Sequence, residues 1–370
     1  MQVQDRVIPA TSTVPGMPLD VEVPAVASVR ASRRRRIVLR IGIGLGAGAI
    51  LLLTFLQLVN FRSVSRRLEH LNFLFAGLCA VVFLSAFAVR GLRWRRFLGP
   101  ERVSRMRAVA VYYVATFLNW ALPIQGGELA KSLMLRRSNN IPVNESLAAV
   151  GMDKAMDLLP GVVLLAVVPF AGWHLSQALW FLLSLASLAL VTGLSVLVLA
   201  SWRRDRTLAG VSRILAIVLP RRIWVKVDPF IAGFIDSLLG LVRRPRLLLL
   251  AAGYTAVAAG LDALFCFLAF RAVGASVSMP VVLFGYTFYN LAYILPTPPG
   301  HIGSNEVVGL LIFSGVFGVS RTAVGAMFLF SHPLTGILMT IAGLVCLRGI
   351  GLNMRGALAL ELDAGSMGET

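Results

Sequence analysis

Charged residues are scarce in this chain: Asp, Glu, Lys and Arg make up 14% of its 370 residues, whereas 57% are hydrophobic. That composition excludes an ordinary water-soluble enzyme. Acidic residues are scarcer than basic ones: the chain has 17 acidic and 35 basic residues, which gives a formal net charge of +18. In so apolar a chain, a basic excess indicates membrane topology and contact with anionic lipids. We therefore expect membrane lipids, and no nucleic acid, as partners.

Cysteine is also nearly absent. Cys79, Cys266 and Cys346 each stand inside an apolar run, so they cannot supply a disulfide framework or the ligand spacing of a zinc site. The sequence contains no Gly-x-x-x-x-Gly-Lys-Ser/Thr phosphate loop either. We expect no metal and no cofactor, and any transport should be downhill or ion-coupled.

Long apolar runs are abundant, and several reach the roughly 20 residues that a helix needs to cross the hydrocarbon core. They predict an all-α polytopic membrane protein with about six spanning helices and two re-entrant helical hairpins arranged as an inverted repeat. The spanning helices are expected at about 41–61, 71–89, 143–170, 177–201, 247–270 and 322–347.

Basic residues flank these runs, and the positive-inside rule places such flanks in the cytoplasm. Residues 1–36 are predicted to be a disordered basic cytoplasmic tail, 37–348 the transmembrane domain, and 349–370 a short cytoplasmic tail. The basic amphipathic segment 207–245 is typical of a helix lying on an anionic inner surface. We expect the inner (plasma) membrane, with both termini in the cytoplasm.

Arginine outnumbers lysine by 32 to three. Guanidinium groups suit phosphate binding, but codon bias explains the ratio equally well. Arg90 and Arg93 begin the basic cluster that follows the second run. We assign them to the cytoplasmic flank and give neither an individual role.

Two apolar segments are interrupted by proline and glycine, at 122–127 and at 296–303. The first lies between arginine-rich flanks, and its arms of about 10 to 15 residues reach roughly 15 to 22 Å, too short to cross. The second has flanks with few charges. We expect the first hairpin to enter from the cytoplasm and the second from outside.

The two hairpins resemble each other in sequence. Each first arm ends in Leu-Pro, and each break leads through glycine to a glutamate, Glu128 or Glu306, and then to a spanning run. We interpret 71–170 and 247–347 as repeats of opposite orientation, as in secondary transporters whose binding site lies between the repeats. Chance similarity between apolar helices is the alternative.

The broken motifs, Asn119 to Glu128 and Pro296 to Glu306, resemble those of the flippase-like family of the lysylphosphatidylglycerol synthase transmembrane region. The resemblance covers roughly residues 71–347. It implies lipid translocation, as in flipping of aminoacylated phosphatidylglycerol or export of hopanoids or polyprenyl-linked sugars. The soluble aminoacyl-transferase domain that some relatives carry does not occur in this sequence, so lipid aminoacylation is not expected.

The resemblance has departures. The family typically carries a basic residue before Gly-Glu, where Gln125 and Gly126 stand here, and another basic residue three positions after the glutamate, where Lys131 stands. A Glu-Arg-x-x-x-Asp-like element of the next helix is matched approximately by Asp153-Lys154 and Asp157. The substrate therefore stays open.

The candidate substrate-binding or translocation residues lie at the two breaks and in the run after the first. They are Asn119, Pro123, Gln125, Gly127, Glu128, Lys131, Asp153, Lys154, Asp157, Asn290, Pro296, Gly300, Gly303, Ser304 and Glu306.

Each candidate has a plainer alternative. Glu128 and Glu306 suit a cationic headgroup or a carried proton, because ionisable residues at membrane depth tend to be functional; helix capping is the alternative. Backbone amides without a hydrogen-bond partner at the same helix starts are suited to binding a lipid phosphate instead. Asn119 and Asn290 either cap or bind.

Asp153 and Asp157 lie on one helical face with Lys154 beside them. A self-paired structural cluster is the alternative to function, with Lys154 neutralising one aspartate. The remaining negative charge should attract Lys131, Arg136 or a substrate amine. Asp262 and His332 are ranked low, since a lone polar residue is usually satisfied by a neighbouring helix.

These observations predict a lipid translocator and no enzyme. The headgroup would pass between the hairpins while acyl or prenyl tails stay in the bilayer. Two rivals remain: a membrane-embedded transferase acting on a lipid or polyprenyl substrate, and a non-catalytic partner of a lipid-biosynthesis enzyme. The cytoplasmic loops carry few acids, mainly Glu101, Asp205 and Asp228, which argues against the transferase.

Overall fold

A computed structural model of the protein describes residue 42 and residues 44–121, 126–167, 177–218, 221–292 and 298–350. The chain divides into two units, Met1–Ile43 and Gly44–Thr370. Only residue 42 of the first unit is described, so its predicted tail lies outside the described residues, as does the tail at 351–370.

Throughout the described ranges the regular structure is helical. The elements are α1 (Gly44–Leu58), α2 (Phe61–Glu69), α3 (Phe73–Leu98), α4 (Arg105–Ala121), α5 (Gly127–Asn139), α6 (Val143–Asp157), α7 (Leu159–Val167), α8 (Gln177–Trp202), α9 (Arg204–Val218), α10 (Arg221–Val242), α11 (Pro245–Ala272), α12 (Met279–Ala292), a 3₁₀ turn (Pro299–His301), α13 (Ser304–Leu310) with a π-helical continuation (Leu311–Val316), and α14 (Arg321–Gly349).

Three described helices, α3, α11 and α14, are long and apolar enough to cross a membrane alone. Two bent pairs raise the number to five if each counts as one span: α1 turns by 89° into α2, and α8 turns by 110° into α9. The prediction of a polytopic all-α protein is confirmed in this coarser form. The count of six and the inverted orientation stay predictions.

Helix α3 is longer than its apolar run. The predicted segment ended at residue 89, but the helix continues to Leu98 and packs along α11. Arg90 and Arg93 therefore lie inside a helix that is packed against its neighbours. The expectation that they have no individual role is wrong for Arg93, which is fully buried; their cytoplasmic position stays a prediction.

The run predicted as one helix at 143–170 is broken. Helix α6 ends at Asp157 and α7 begins at Leu159. Pro160 has no amide hydrogen, and its ring clashes with the carbonyl one turn earlier, which explains the interruption. Asp153 and Asp157 accordingly lie in the last turns of α6 and not in the middle of a continuous helix.

The two arms of the first predicted hairpin are α4 and α5. Helices α4 and α5 pack together, and a Cβ at Gly127 would overlap the carbonyl oxygen of Ala115. This close approach requires glycine at the start of α5. The break itself, 122–125, lies outside the described residues.

The second hairpin is built from α12 and α13. Gly285 of α12 lies against the ring of Phe313, and Gly303 packs against the backbone of α1 at Gly48. Gly300 and His301 both have positive φ, 65° and 55°, so the chain turns sharply before α13. The side from which each hairpin enters the membrane stays a prediction.

Within the predicted interfacial segment, α10 is partly incorporated into the protein. Its last turns bury Leu239 and Leu241, and Gly233 lies against Asn144 of α6. Helix α10 therefore supports α6, the helix that carries the central acids.

Candidate functional site

Arg93 of α3 joins three helices. Its Nε donates to Oδ1 of Asp153 at 2.7 Å, and its Nη2 donates to Oδ1 of Asp157 at 2.7 Å and to the Asp153 carbonyl at 3.0 Å. Its Nη1 donates to the hydroxyl of Thr255 on α11 at 2.9 Å. Asp153 and Asp157 thus share one face of α6, as predicted, but their neutralising cation is Arg93 and not Lys154.

Glu128 at the start of α5 holds two lysines. Lys131 Nζ lies 2.7 Å from its Oε2, and Lys154 Nζ lies 2.9 Å from its Oε1. Lys131 is buried, with its ammonium 4.0 Å from the ring centroid of Tyr112 and 5.3 Å from that of Trp94. Such cation–π contacts stabilise a desolvated ammonium.

Asn119 closes the first hairpin. Its Oδ1 accepts from the amide of Gly127 at 2.8 Å, and its Nδ2 donates to Oε1 of Glu128 at 3.2 Å. Asn119 thus provides the hydrogen bond at the start of α5, and the Glu128 carboxylate binds the lysines. The geometry favours capping for Asn119, whereas Glu128 forms ion pairs with lysines, which neither of its two alternatives included.

Arg90 lies one turn before Arg93 on α3. It pairs with Asp262 of α11, and its Nε is 3.9 Å from Oδ1 of Asp157. Asp262 is satisfied by a neighbouring helix, as expected of a lone intramembrane aspartate.

The described charges of this cluster balance. Four cations, Arg90, Arg93, Lys131 and Lys154, face four anions, Glu128, Asp153, Asp157 and Asp262. The negative charge that was expected to attract Lys131, Arg136 or a substrate amine is met by Arg93, because sequence reasoning left both arginines out of the count. The cluster therefore presents both signs of charge and little net charge to a ligand.

Glu306 of α13 forms a second pair. Its Oε1 is 2.5 Å from Nδ1 of His332 on α14, and Nε2 of the same ring is 2.7 Å from the carbonyl oxygen of Gly300. Glu306 is 3% exposed. Glu306 and His332 are 26 residues apart, the same separation as Glu128 and Lys154.

Two adjoining cavities, of about 330 and 500 Å³, open between the helices. Both are lined by Lys154, Asp157 and Asn290, and by the Arg90–Asp262 pair. The side chain of Lys154 is 52% exposed and that of Asp157 is 31% exposed. These two are the charges of the cluster best placed to meet a ligand.

Each cavity adjoins an apolar groove with which it shares lining residues. The first shares Trp120 and His332 with a groove of about 540 Å³ along α14. The second shares Pro160, Leu283 and Thr287 with a groove of about 290 Å³ between α7, α11 and α12. Polar cavities and apolar grooves thus lie next to each other at two places.

Most predicted site residues lie in one of two centres: the first is the charged cluster around Arg93 and Glu128, and the second is the Glu306–His332 pair. Asn119, Gly127, Glu128, Lys131, Asp153, Lys154 and Asp157 gather at the first, and Gly300 and Glu306 lie at the second. Ser304 donates to the His301 carbonyl at 2.9 Å and so stabilises the turn. Pro123, Gln125 and Pro296 lie outside the described residues.

Sequence reasoning missed Arg90 and Arg93 and ranked His332 low. A signal for the arginines was present, since no glycine or proline after Gly91 interrupts the chain before Gly99-Pro100, so the helix had no reason to stop at the end of the apolar run. No comparable signal marked His332.

Comparison with known proteins gives a family. The family described as "Lysylphosphatidylglycerol synthase TM region" matches residues 37–343. A "UPF0104 membrane protein" of Methanothermobacter thermautotrophicus is 26% identical over 321 residues, covering 80% of this chain and 90% of that protein. The "UPF0104 membrane protein PH1989" of Pyrococcus horikoshii is 23% identical over 283 residues, covering 72% and 84%.

A third relative has a different name. "Glycosyltransferase AglD" of Haloferax volcanii is 21% identical over 314 residues, covering 75% of this chain and 49% of that protein. No solved structure matches the chain.

Proposed function

The chain is a multi-pass membrane protein of the family of the lysylphosphatidylglycerol synthase TM region, and we propose that it is a translocator that moves a polar-headgroup lipid between the leaflets of the inner membrane. A modified phospholipid and an isoprenoid-linked lipid are the two substrate classes that fit this proposal. The chain acts as a carrier in this proposal and not as an enzyme.

The observation that carries the proposal is that the polar cavities adjoin apolar grooves and share lining residues with them. A headgroup that crosses the bilayer needs polar partners inside the protein, because burial of an unpaired polar group costs several kcal/mol in hydrocarbon. Its tails must stay among apolar surfaces. The cavities offer charges and amides, and the grooves offer aliphatic walls, with Trp120 and His332 at one junction. A lipid can occupy both environments at once.

The charge arrangement supports the same proposal. A lipid headgroup combines a phosphate with amines or hydroxyls, so its site needs both signs within reach. Lys154 and Asp157 provide one accessible charge of each sign; Asp157 is held by the buried Arg93, and Lys154 is held by Glu128, whose side chain is 23% exposed. The remaining charges of the cluster hold these two in place.

The two hairpins support transport further. Each ends in a short helix whose first turn carries a glutamate, and each glutamate meets a basic side chain 26 residues later. Repeats of opposite orientation place such sites near the midplane and permit alternating access. The proposed orientation agrees with the arginine flanks of the first hairpin and the charge-poor flanks of the second.

The proposal is tested in liposomes that contain the purified protein and a lipid labelled for quencher access. The protein should accelerate exchange of the labelled lipid between leaflets. Asp157→Asn and Glu128→Gln should slow it, because each unbalances the cavity charges. Glu145→Gln is the matched control, since Glu145 forms an exposed pair with Arg102.

Probe lipids should include phosphatidylglycerol, an aminoacylated phosphatidylglycerol and a polyprenyl phosphate sugar. If the protein accelerates none of them, the proposal is wrong. Equal slowing by Glu145→Gln would show that the variants report general damage to the protein.

A membrane-embedded transferase is the second candidate, and likeness to the protein named AglD favours it. Among the described residues, no group of three His, Cys, Asp or Glu side chains is placed to hold a metal ion. Incubation of the purified protein with labelled nucleotide sugars and polyprenyl phosphate distinguishes the two candidates: label in the lipid fraction supports the transferase, whereas exchange without labelling supports the translocator.

A further inference from the structure

The ring of His332 is held at both nitrogens. On one side Nδ1 lies 2.5 Å from Oε1 of Glu306, and on the other Nε2 lies 2.7 Å from the carbonyl oxygen of Gly300. The side chains of His332 and Glu306 are 10% and 4% exposed. Helix α14 and the second hairpin therefore meet through this ring.

These contacts fix the number of protons. A carbonyl oxygen only accepts hydrogen bonds, so Nε2 must carry a hydrogen. Two acceptors without a hydrogen between them do not approach to 2.5 Å, so a further proton lies between Nδ1 and Oε1. The contacts therefore indicate that the pair holds one proton more than a neutral histidine beside a carboxylate.

Loss of that proton would remove the contact. The lone pair of Nδ1 would then face a carboxylate oxygen, which is repulsive. The other oxygen of Glu306, Oε2, is buried and has no hydrogen-bond partner among the described residues, so the carboxylate would be left poorly compensated. The second hairpin would then keep its apolar packing against α14, such as that of Gly309 on Phe328, but lose this polar contact.

The corresponding pair of the first hairpin lacks this property. Glu128 is held by Lys131 and Lys154, whose ammonium groups ordinarily stay protonated across physiological pH, whereas histidine is the side chain that titrates there. Two pairs with the same 26-residue separation therefore differ in kind. One is a fixed ion pair, and the other depends on a single exchangeable proton.

We propose that Glu306 and His332 form a binding site for one proton, and that its loading and release drive lipid movement by this protein. The proton site follows from the contacts alone; the coupling rests on the proposed translocator function. The left-handed turn at Gly300 and His301 directs the Gly300 carbonyl to the ring, and backbone strain of this kind is typical of functional sites.

Other charged groups face the same space. Neighbouring His301 precedes α13, and the cavity that His332 lines is also lined by Arg90 of α3, Asp262 of α11, and Lys154 and Asp157 of α6. Arg90 and Asp262 are paired with each other. Any titration must therefore be assigned to His332 and separated from that of His301.

The proton site is tested by nitrogen-15 NMR of histidine-labelled full-length protein in nanodiscs. The chain has four histidines, and His332→Asn identifies the signals of the fourth. At neutral pH we expect His332 with a hydrogen on Nε2 and a proton shared at Nδ1, and loss of one proton as pH rises. Glu306→Gln should shift this transition, whereas His70→Gln, at an exposed helix end, should not.

Two results would overturn the proton site. One is a neutral ring at neutral pH whose Nδ1 has no hydrogen-bond partner. The other is a ring that keeps its extra proton up to the highest pH at which the protein stays folded, because such a site cannot cycle.

The coupling is tested in liposomes with an imposed pH gradient and the membrane potential held at zero. If one proton moves per lipid, a gradient of one pH unit should change the leaflet distribution of the lipid by up to ~10-fold. His332→Lys makes the second pair resemble the first and should abolish this response. Glu145→Gln is again the control.

The outcomes separate the two proposals. If no lipid moves under any condition, the translocator function fails while the NMR result stands. If lipid moves equally with and without the gradient, in the wild type and in His332→Lys, the coupling is wrong and the translocator function stands.

Discussion

Arg93 should be the residue whose replacement costs the most stability. It is fully buried and makes four hydrogen bonds, two of them to the carboxylates of Asp153 and Asp157. Replacing it by methionine keeps the apolar stem but leaves Asp153 buried without its cation. Breaking a buried pair in this way costs about 3–5 kcal/mol of unfolding free energy.

The two aspartates should contribute unequally to that loss. Asp157 is 31% exposed and keeps Arg90 at 3.9 Å. Asp153 is fully buried and keeps the hydroxyl of Tyr112 at 3.3 Å. Adding Asp153→Asn to Arg93→Met should therefore recover most of the loss and leave a deficit of about 1–2 kcal/mol for the remaining unpaired groups.

The assay is unfolding of the purified protein in mixed micelles, followed by circular dichroism against the mole fraction of denaturing detergent. Arg102→Met is the matched control. Arg102 and Glu145 form a pair 2.5 Å apart, but both side chains are about 40% exposed, so its removal should cost less than about 1 kcal/mol.

Arg93→Lys adds a geometric test, because a lysine keeps the charge but cannot reach several acceptors at fixed angles. It should lie between wild type and Arg93→Met. The reasoning is refuted if Arg93→Met is no less stable than Arg102→Met, or if Asp153→Asn does not improve it.

Two further predictions concern the hairpins. Gly127→Ala should destabilise the protein by about 1–3 kcal/mol or more and slow lipid exchange, because its Cβ would overlap the Ala115 carbonyl; Gly151→Ala, with open space around it, should fold normally. Single cysteines at Ser138 and Ser320, both exposed, should react with impermeant maleimide from opposite sides of the membrane, and reaction from one side would contradict the inverted repeat.

The hairpins could be predicted from the sequence because their signals are local. Proline removes an amide hydrogen and glycine permits left-handed backbone, so a Pro-Gly break inside an apolar run predicts a helix end at each occurrence. The same rule, applied to Pro160, would have predicted the break between α6 and α7. It was missed because the hydropathy of the run continues across that proline.

The partners within the site could not be predicted in the same way. An arginine at the end of an apolar run has the same sequence pattern whether it reaches the interface or pairs inside the bundle. What distinguishes Arg93 is α6, which lies about 60 residues later in the chain. The need for a cation near Asp153 was evident from its burial cost, but the choice among 35 basic residues depends on tertiary packing.

If proton release drives lipid movement, the charge of the headgroup should determine whether the lipid moves with the proton or against it. When the proton is bound, the first centre has equal numbers of positive and negative side chains, and the Glu306–His332 pair has no net charge. Release of the proton therefore leaves one net negative charge. An anionic headgroup should then bind better before release and move in the same direction as the proton, whereas a cationic headgroup should move against it. In the gradient assay, phosphatidylglycerol and its lysyl derivative should therefore accumulate in opposite leaflets. Accumulation of both in the same leaflet would show that the charge of the pair does not act on the headgroup.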